Sequence, residues 1–220
     1  MTRLLITLCC LLFIPVAAYA ATDEEYNNPG YYETNGLLGV YGFTPNYFNS
    51  DNENGGMGGG IFAYYNILNK IGGNLSIGIS ADYSSGKYDN NVFRADTTIM
   101  PIALNLAYMT ASDFLNVWAG LAFTYTFADF DITDGNVPNR INGSFGPQGS
   151  ESFQLMGGDI FTGIEYIFTQ NKKFGAFFEF RVSFTESASV KRYIPQQQYS
   201  FEEDINFSRM RFMLGVAYHF

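Results

Sequence analysis

The last twelve residues, Arg209–Phe220, read RMRFMLGVAYHF. Counting back from the terminus, Phe220, Tyr218, Val216, Leu214, Phe212 and Met210 form one alternating set, all apolar or aromatic. His219, Ala217, Gly215, Met213, Arg211 and Arg209 form the other, which is small, polar or charged apart from Met213. A period of two puts the two sets on opposite faces of a β-strand. An apolar face on one side and charge on the other means that two different environments meet across this strand.

The opposite end of the chain gives the compartment. Met1-Thr-Arg is followed by an apolar run from Leu4 to Ala18, then by Ala18-Tyr19-Ala20 ahead of Ala21. A basic start, a short apolar stretch and an A-x-A site predict a secretory signal peptide over residues 1–20. The run is too short for a spanning helix. Cys9 and Cys10 lie mid-run, so a lipoprotein cleavage site is not expected. Cleavage removes both cysteines and one positive charge, leaving 200 residues with 11 basic and 21 acidic side chains, a net of −10. No disulfide or thiol chemistry is expected in the mature chain. The acidic balance argues against nucleic acid as a partner.

Aromatic residues make up 18% of the chain and charged residues only 15%, against roughly 25% in soluble domains. Beyond the signal no apolar run approaches the length of a spanning helix. That combination points to a membrane barrel built from strands.

Residues 21–35 are polar, acidic and aperiodic, and predict a short periplasmic lead-in to a barrel over 36–220. Eight strand-like segments follow: Gly36–Tyr47, Gly58–Ile67, Asn74–Ser84, Thr97–Met109, Phe114–Ala128, Ser152–Phe168, Phe174–Thr185 and the terminal strand. The first alternates weakly, and the second is apolar on both faces, so neither shows which face is which. The seventh alternates most cleanly, with Phe174, Ala176, Phe178, Phe180, Val182 and Phe184 against Gly175, Phe177, Glu179, Arg181, Ser183 and Thr185. Gly157-Gly158 predicts a β-bulge, because the parity upstream does not match. Long polar connections follow the odd segments, including Ser85–Asp96, Asp129–Glu151 and Glu186–Glu203; short turns follow the even ones. Short periplasmic turns and long outer loops are the pattern of outer-membrane barrels. No second domain or repeat is evident.

A soluble barrel and a membrane barrel share this alternation. Size separates them. Eight strands leave an interior just wide enough to be filled by side chains. Small residues with a few large ones fit there, whereas rows of Phe fit against lipid. Tyr83, Tyr108, Tyr125 and Tyr218 fall near strand ends, where an aromatic girdle is expected.

Parity then places Asp82, Asp159, Glu165, Glu179, Arg181, Arg209 and Arg211 in the lumen, together with Phe161, Phe177 and Met213. Buried charges must pair, so an interstrand ion-pair network with bidentate Arg–carboxylate contacts is expected around Glu179 and Arg181, with Arg209 and Arg211 as partners for Glu165 and Glu179. Such a network reads either as a polar plug or as the lining of a narrow pore.

His219, the one histidine of the chain, is expected as a plain residue at the periplasmic rim. At that end it has no access to an outer-leaflet substrate, so no catalytic residues are assigned. Asp129–Gly135 glances at a calcium loop, but position twelve is Arg140 where a Glu is required, so a solvated acidic loop is expected. No metal spacing, phosphate loop or nucleophile elbow is present, and no cofactor is expected.

With the signal, the eight segments, the loop order and terminal Phe220 together, the mature chain resembles the small eight-stranded outer-membrane proteins: the OmpA transmembrane domain, OmpX, OmpW and the opacity-type proteins. The resemblance implies an all-β, antiparallel up-and-down transmembrane barrel in the outer membrane of a Gram-negative bacterium. It implies Tyr218 and Phe220 as the assembly signal, read by the barrel assembly machinery after periplasmic chaperones. Outer-membrane lipids and lipopolysaccharide are the implied surroundings, with divalent bridging to lipopolysaccharide phosphates through the acidic loops as an open question. No peptidoglycan-binding domain is expected beyond Phe220, so an anchoring role is not implied. Three functions remain open: a non-enzymatic surface barrel acting through its loops, an OmpW-like narrow channel for small or hydrophobic molecules, and, disfavoured, a lipid A-modifying enzyme. Small molecules and host-surface ligands stay open as partners.

Overall fold

The computed structural model describes residues 35–47, 53–70, 73–89, 93–110, 114–135, 149–169, 173–194 and 199–220. The expected signal peptide, the lead-in up to residue 34 and the middle of the longest connection lie outside them.

Among the described residues there are ten strands: β1 (Gly36–Tyr47), β2 (Glu53–Lys70), β3 (Gly73–Asp89), β4 (Phe93–Thr110), β5 (Leu115–Gly135), β6 (Gly149–Ile167), β7 (Phe174–Thr185), β8 (Ser187–Ile194), β9 (Tyr199–Asn206) and β10 (Arg209–His219). Eight close into an antiparallel barrel in the order β1-β10-β7-β6-β5-β4-β3-β2, and β8 and β9 form a separate hairpin. β1 pairs with β10 from Leu37↔His219 to Tyr47↔Arg209. Asn35 and Gly36 also donate to the Phe220 carbonyl, at 2.7 and 3.2 Å. The weakly alternating first segment therefore closes the barrel on the terminal strand.

Strand lengths divide the molecule along its axis. A tilted strand crosses a bilayer in about 9–11 residues. β1, β7 and β10 have 12, 12 and 11 residues and stop near that limit. β2 to β6 have 17 to 21 and run well beyond it. The excess lies at the end reached by the long connections. The expected polar loops Ser85–Asp96, Asp129–Glu151 and Glu186–Glu203 are therefore largely strand in the described residues. The first two lengthen β3 to β6, and the third becomes β8 and β9.

The overhanging sheet and the hairpin enclose a second apolar core. Ala95, Ile99, Ala128, Phe130, Ile132 and Leu155 from β4 to β6 meet Ala188 and Val190 of β8, Ile205 of β9 and Phe207. Phe130 packs edge-on against Phe153 at 6.0 Å and Phe207 at 5.5 Å. This core explains why Gly157-Gly158 looked like a bulge. The register through Thr124↔Gly157 and Phe123↔Gly158 is continuous. Phe153 and Leu155 simply point inward, to an interior that is apolar at that height. Register shifts occur instead between Asn54 and Met57 and between Asn66 and Leu68 of β2, and between Arg94 and Ala95 of β4.

Outward on the barrel, Leu38, Val40, Ile61, Ile79, Ile102, Leu104, Leu121, Phe123, Phe178, Phe212, Leu214 and Val216 are exposed. Inward, β1 and β2 contribute Tyr41, Phe43, Phe62 and Tyr64, which settles their facing. The lumen thus holds more aromatics than size alone suggested. Seven of them sit directly across the ladder from a glycine: Tyr41↔Gly60, Phe43↔Gly58, Phe62↔Gly39, Tyr64↔Gly78, Trp118↔Gly163, Phe161↔Gly120 and Phe177↔Gly215. A methyl group on Gly163 would stand 2.4 Å from the Trp118 indole. Large rings fit a narrow barrel because each lies flat over a neighbour with no side chain.

Candidate functional site

The lumen is the site. Its centre is built by β3, β5, β6, β7 and β10, whose inward positions alternate with lipid-facing ones. Arg181 on β7 and Arg211 on β10 are directly opposite one another. Like charges so placed repel. Asp159 of β6 resolves the conflict: its Oδ2 accepts from Arg181 Nη1 at 3.3 Å and from Arg211 Nη2 at 3.0 Å.

Each arginine then reaches a second carboxylate. Arg181 Nε donates to Glu179 at 2.9 Å, and Arg211 Nη1 donates to Asp82 of β3. Trp118 Nε1 donates to the other oxygen of Glu179 at 2.9 Å, and Tyr41 donates to Asp82. Asn105 and Ser183 complete the fans of Arg181 and Arg211, at 3.2 and 3.0 Å. The Arg181 guanidinium stacks 4.4 Å from the Phe161 ring centroid, and Arg211 lies 5.6 Å from Phe43. A continuous chain of side chains, Asp82–Arg211–Asp159–Arg181–Glu179–Trp118, therefore crosses the barrel. Arg181 and Arg211 are only 2% and 1% exposed.

The expected partners were different. Glu165 and Glu179 do not hold Arg209 and Arg211. Register sets the reason: Glu165 is level with Phe177, and Phe177 is level with Gly215, two inward positions below Arg211. Arg209 lies above the central chain, with Nη1 donating to Ser84 at 3.4 Å. The expected bidentate geometry is also replaced, because the fork of Arg211 is split between Asp82 and Asp159.

His219 needs a larger correction. It is buried, and its Nε2 stands 2.8 Å from Glu165 Oε1. Asn116 donates to the other Glu165 oxygen at 3.1 Å. Parity already grouped His219 with Arg209 and Arg211, and that signal identifies it as a lumen residue. Its place next to the terminus suggested an exposed rim, but the closing strand carries it inside. Around this pair lies a chamber of about 30 Å³, lined by Tyr64, Asn66, Asn74, Thr110 and Glu179 among others. It has room for about two waters.

The remaining expected positions are simply located. Tyr83 is outward and exposed; Tyr108, Tyr125 and Tyr218 are outward and half-buried. Tyr218 packs on Phe174 at 5.1 Å between centroids, and Phe220 is exposed. Asp129 and Asp131 face outward on β5, so the acidic stretch with a passing likeness to a calcium loop is a strand.

A closed eight-stranded barrel with an apolar exterior, a charged and aromatic lumen and a long-stranded outer end has its counterpart among known families. Residues 6–220 match the outer membrane protein β-barrel domain. The chain belongs to that family. As an outer-membrane β-barrel protein, it presents its exposed apolar rows to lipid. Its fold is similar to that of the outer membrane protein OprG from Pseudomonas aeruginosa, with a TM-score of 0.64, 12% identity, and coverage of 88% of this chain and 99% of that one. It is also similar to a major outer membrane protein from Thermus thermophilus, with a TM-score of 0.53, 12% identity, and coverage of 84% and 99%. Neisserial surface protein A gives a TM-score of 0.51 at 14% identity, with coverage of 84% and 96%. At such identities the likeness concerns the fold. No curated protein matches the sequence.

Proposed function

We propose that this outer-membrane barrel is a non-enzymatic surface protein with a side-chain-filled, non-conducting lumen, acting through the part that stands outside the membrane. The observation that carries the reading is the unbroken side-chain chain from Asp82 to Trp118 across the barrel axis. The apolar core of the head supports it, because the hairpin packs on the inner face of β4 to β6 above that chain. His219 is enclosed with Glu165 at the periplasmic end, an arrangement suited to holding strands together rather than to meeting a substrate. On the same reading, lipopolysaccharide and lipid surround the barrel, and Tyr218 and Phe220 form the signal met by the assembly machinery.

Planar-bilayer recording on the folded full-length protein tests the closed lumen. No discrete conductance is expected; regular unitary steps would sink the reading. A second reading, a passage for small hydrophobic molecules, draws on the apolar inner face of the head around Ile99, Phe130 and Leu155. Uptake of a hydrophobic dye into liposomes that show no ion conductance separates the two.

A further inference from the structure

We propose that one glycerophospholipid of the periplasmic leaflet binds at a fixed place on the barrel wall, with its phosphate on Lys173 and an acyl chain in a groove that crosses β1 to β4. The site is on the outside of the barrel and does not depend on whether the lumen conducts.

The outward face of the wall is uneven. A groove of about 510 Å³ runs from Phe174 and Tyr218 to Ile102, and its lining is almost wholly apolar. Two short side chains make its floor. Ala63 of β2 lies opposite Ile79 of β3, and Ala81 of β3 lies opposite Ile61 of β2. The alanines therefore sit diagonally across one ladder, with branched neighbours standing over them. Leu38 and Val40 of β1 carry the groove on to β10, where they pair with Tyr218 and Val216. These walls, Leu38, Val40, Ile61 and Ile79, are all exposed.

The path fits one leaflet. Tyr218 is two residues from the chain end, at the periplasmic rim, whereas Ile102 is eight residues short of the end of β4 at Thr110. The groove thus starts at the interface and climbs. From β10 to β4 there are four inter-strand steps, roughly 19 Å along the ladder. With strands tilted by about 35–45°, the rise along the barrel axis is roughly 15 Å, half of a hydrocarbon core of about 30 Å.

The lower end is built for a headgroup. Thr169 Oγ1 accepts from the backbone N–H groups of Lys173 and Phe174, both at 3.0 Å, and His219 N–H donates to the Lys173 carbonyl at 2.8 Å. The backbone that carries Lys173 is therefore pinned from both sides. Its Nζ stands 6.0 Å from the Tyr218 ring centroid, over the mouth of the groove. A lysine at this level keeps its ammonium among headgroups, beside an interfacial tyrosine. The hydrophobic effect does not favour protein over lipid as neighbour for an acyl chain inside a bilayer. Close packing in the groove and the ammonium–phosphate contact are what single out this place.

The test is native mass spectrometry of the full chain folded in detergent micelles and supplied with phosphatidylglycerol. Retention that saturates at one lipid per barrel is expected. Lys173→Gln should weaken it about fivefold. Ala63→Phe with Ala81→Phe fills the floor and should weaken it roughly tenfold or more, whereas Leu121→Phe, on the lipid face of β5 outside the groove, should not. Gel mobility before and after heating reports folding. If the double variant fails to fold, Ala81→Leu makes the same test with a smaller loss. Retention of several lipids with no preferred count, or of none, overturns the proposal. So does equal retention by the variant with the filled floor. Unchanged retention by Lys173→Gln overturns the headgroup contact in favour of a chain held by shape alone. Preferential retention of lipopolysaccharide, lost in the same variants, overturns the periplasmic leaflet.

Discussion

Arg181 shows what a single residue does in so narrow a space. Its guanidinium is shared between Glu179, Asp159 and Asn105 and covered by Phe161. Removing it leaves two buried carboxylates short of a partner, and breaking a buried pair from one side costs about 3–5 kcal/mol. Arg181→Ala should therefore lower the urea midpoint of the micelle-folded barrel. Arg181→Met combined with Glu179→Gln should lose less, because charge goes with charge. An unchanged midpoint for the alanine variant would remove the network from any account of stability. Period-two counting along each strand was enough to put Arg181, Arg211, Asp159 and Glu179 inside. It carried no information on height along the axis, so it matched Arg211 to Glu165 and overlooked Asp82 as its partner. Height depends on inter-strand register, which local alternation does not encode. The glycine opposite each lumen aromatic is the one register mark visible in the chain, and it is read only after pairing.

At the scale of elements, the β8–β9 hairpin is what the sequence concealed. Ser187–Ile194 and Tyr199–Asn206 are short and mostly polar or charged, and among the described residues they bury Ala188 and Val190 on one strand and Ile205 on the other, with Phe207 just beyond. Alone they look like loop. They become strands because β4 to β6 overhang the membrane and offer them an apolar inner face, a tertiary cause with no local trace. The hairpin should then depend on that contact more than the barrel does. Phe207→Ala removes the ring packed on Phe130, a change that typically costs about 3–5 kcal/mol. Trypsin cleavage in the hairpin should quicken by roughly a hundredfold, since cleavage follows the open population. The membrane-embedded barrel should stay heat-modifiable and protected. Equal cleavage of variant and parent would mean that the hairpin is not held by this core.

Over the whole molecule the fold was legible because every level agreed: strand number, loop order, terminal position and lipid-facing rows. The division along the axis was less visible, and it has a functional consequence. On the proposed reading the lumen is closed twice, by the charged chain at mid-height and by the hairpin on its apolar core above. Two seals in series block flow as long as either holds. Deleting the hairpin by joining Glu186 to Ser208 through a short glycine linker removes the upper seal and leaves the Arg211–Asp159–Arg181 crossing intact. Replacing Arg211 with Ala loosens the crossing beneath an intact roof. Neither change alone should give discrete conductance in a planar bilayer, whereas the combined variant should, provided its heated and unheated gel mobilities still differ. Conductance from the hairpin deletion alone would make the roof the sole barrier. Conductance from Arg211→Ala alone would make the charged chain the sole barrier, with the hairpin left as a surface element that does not seal.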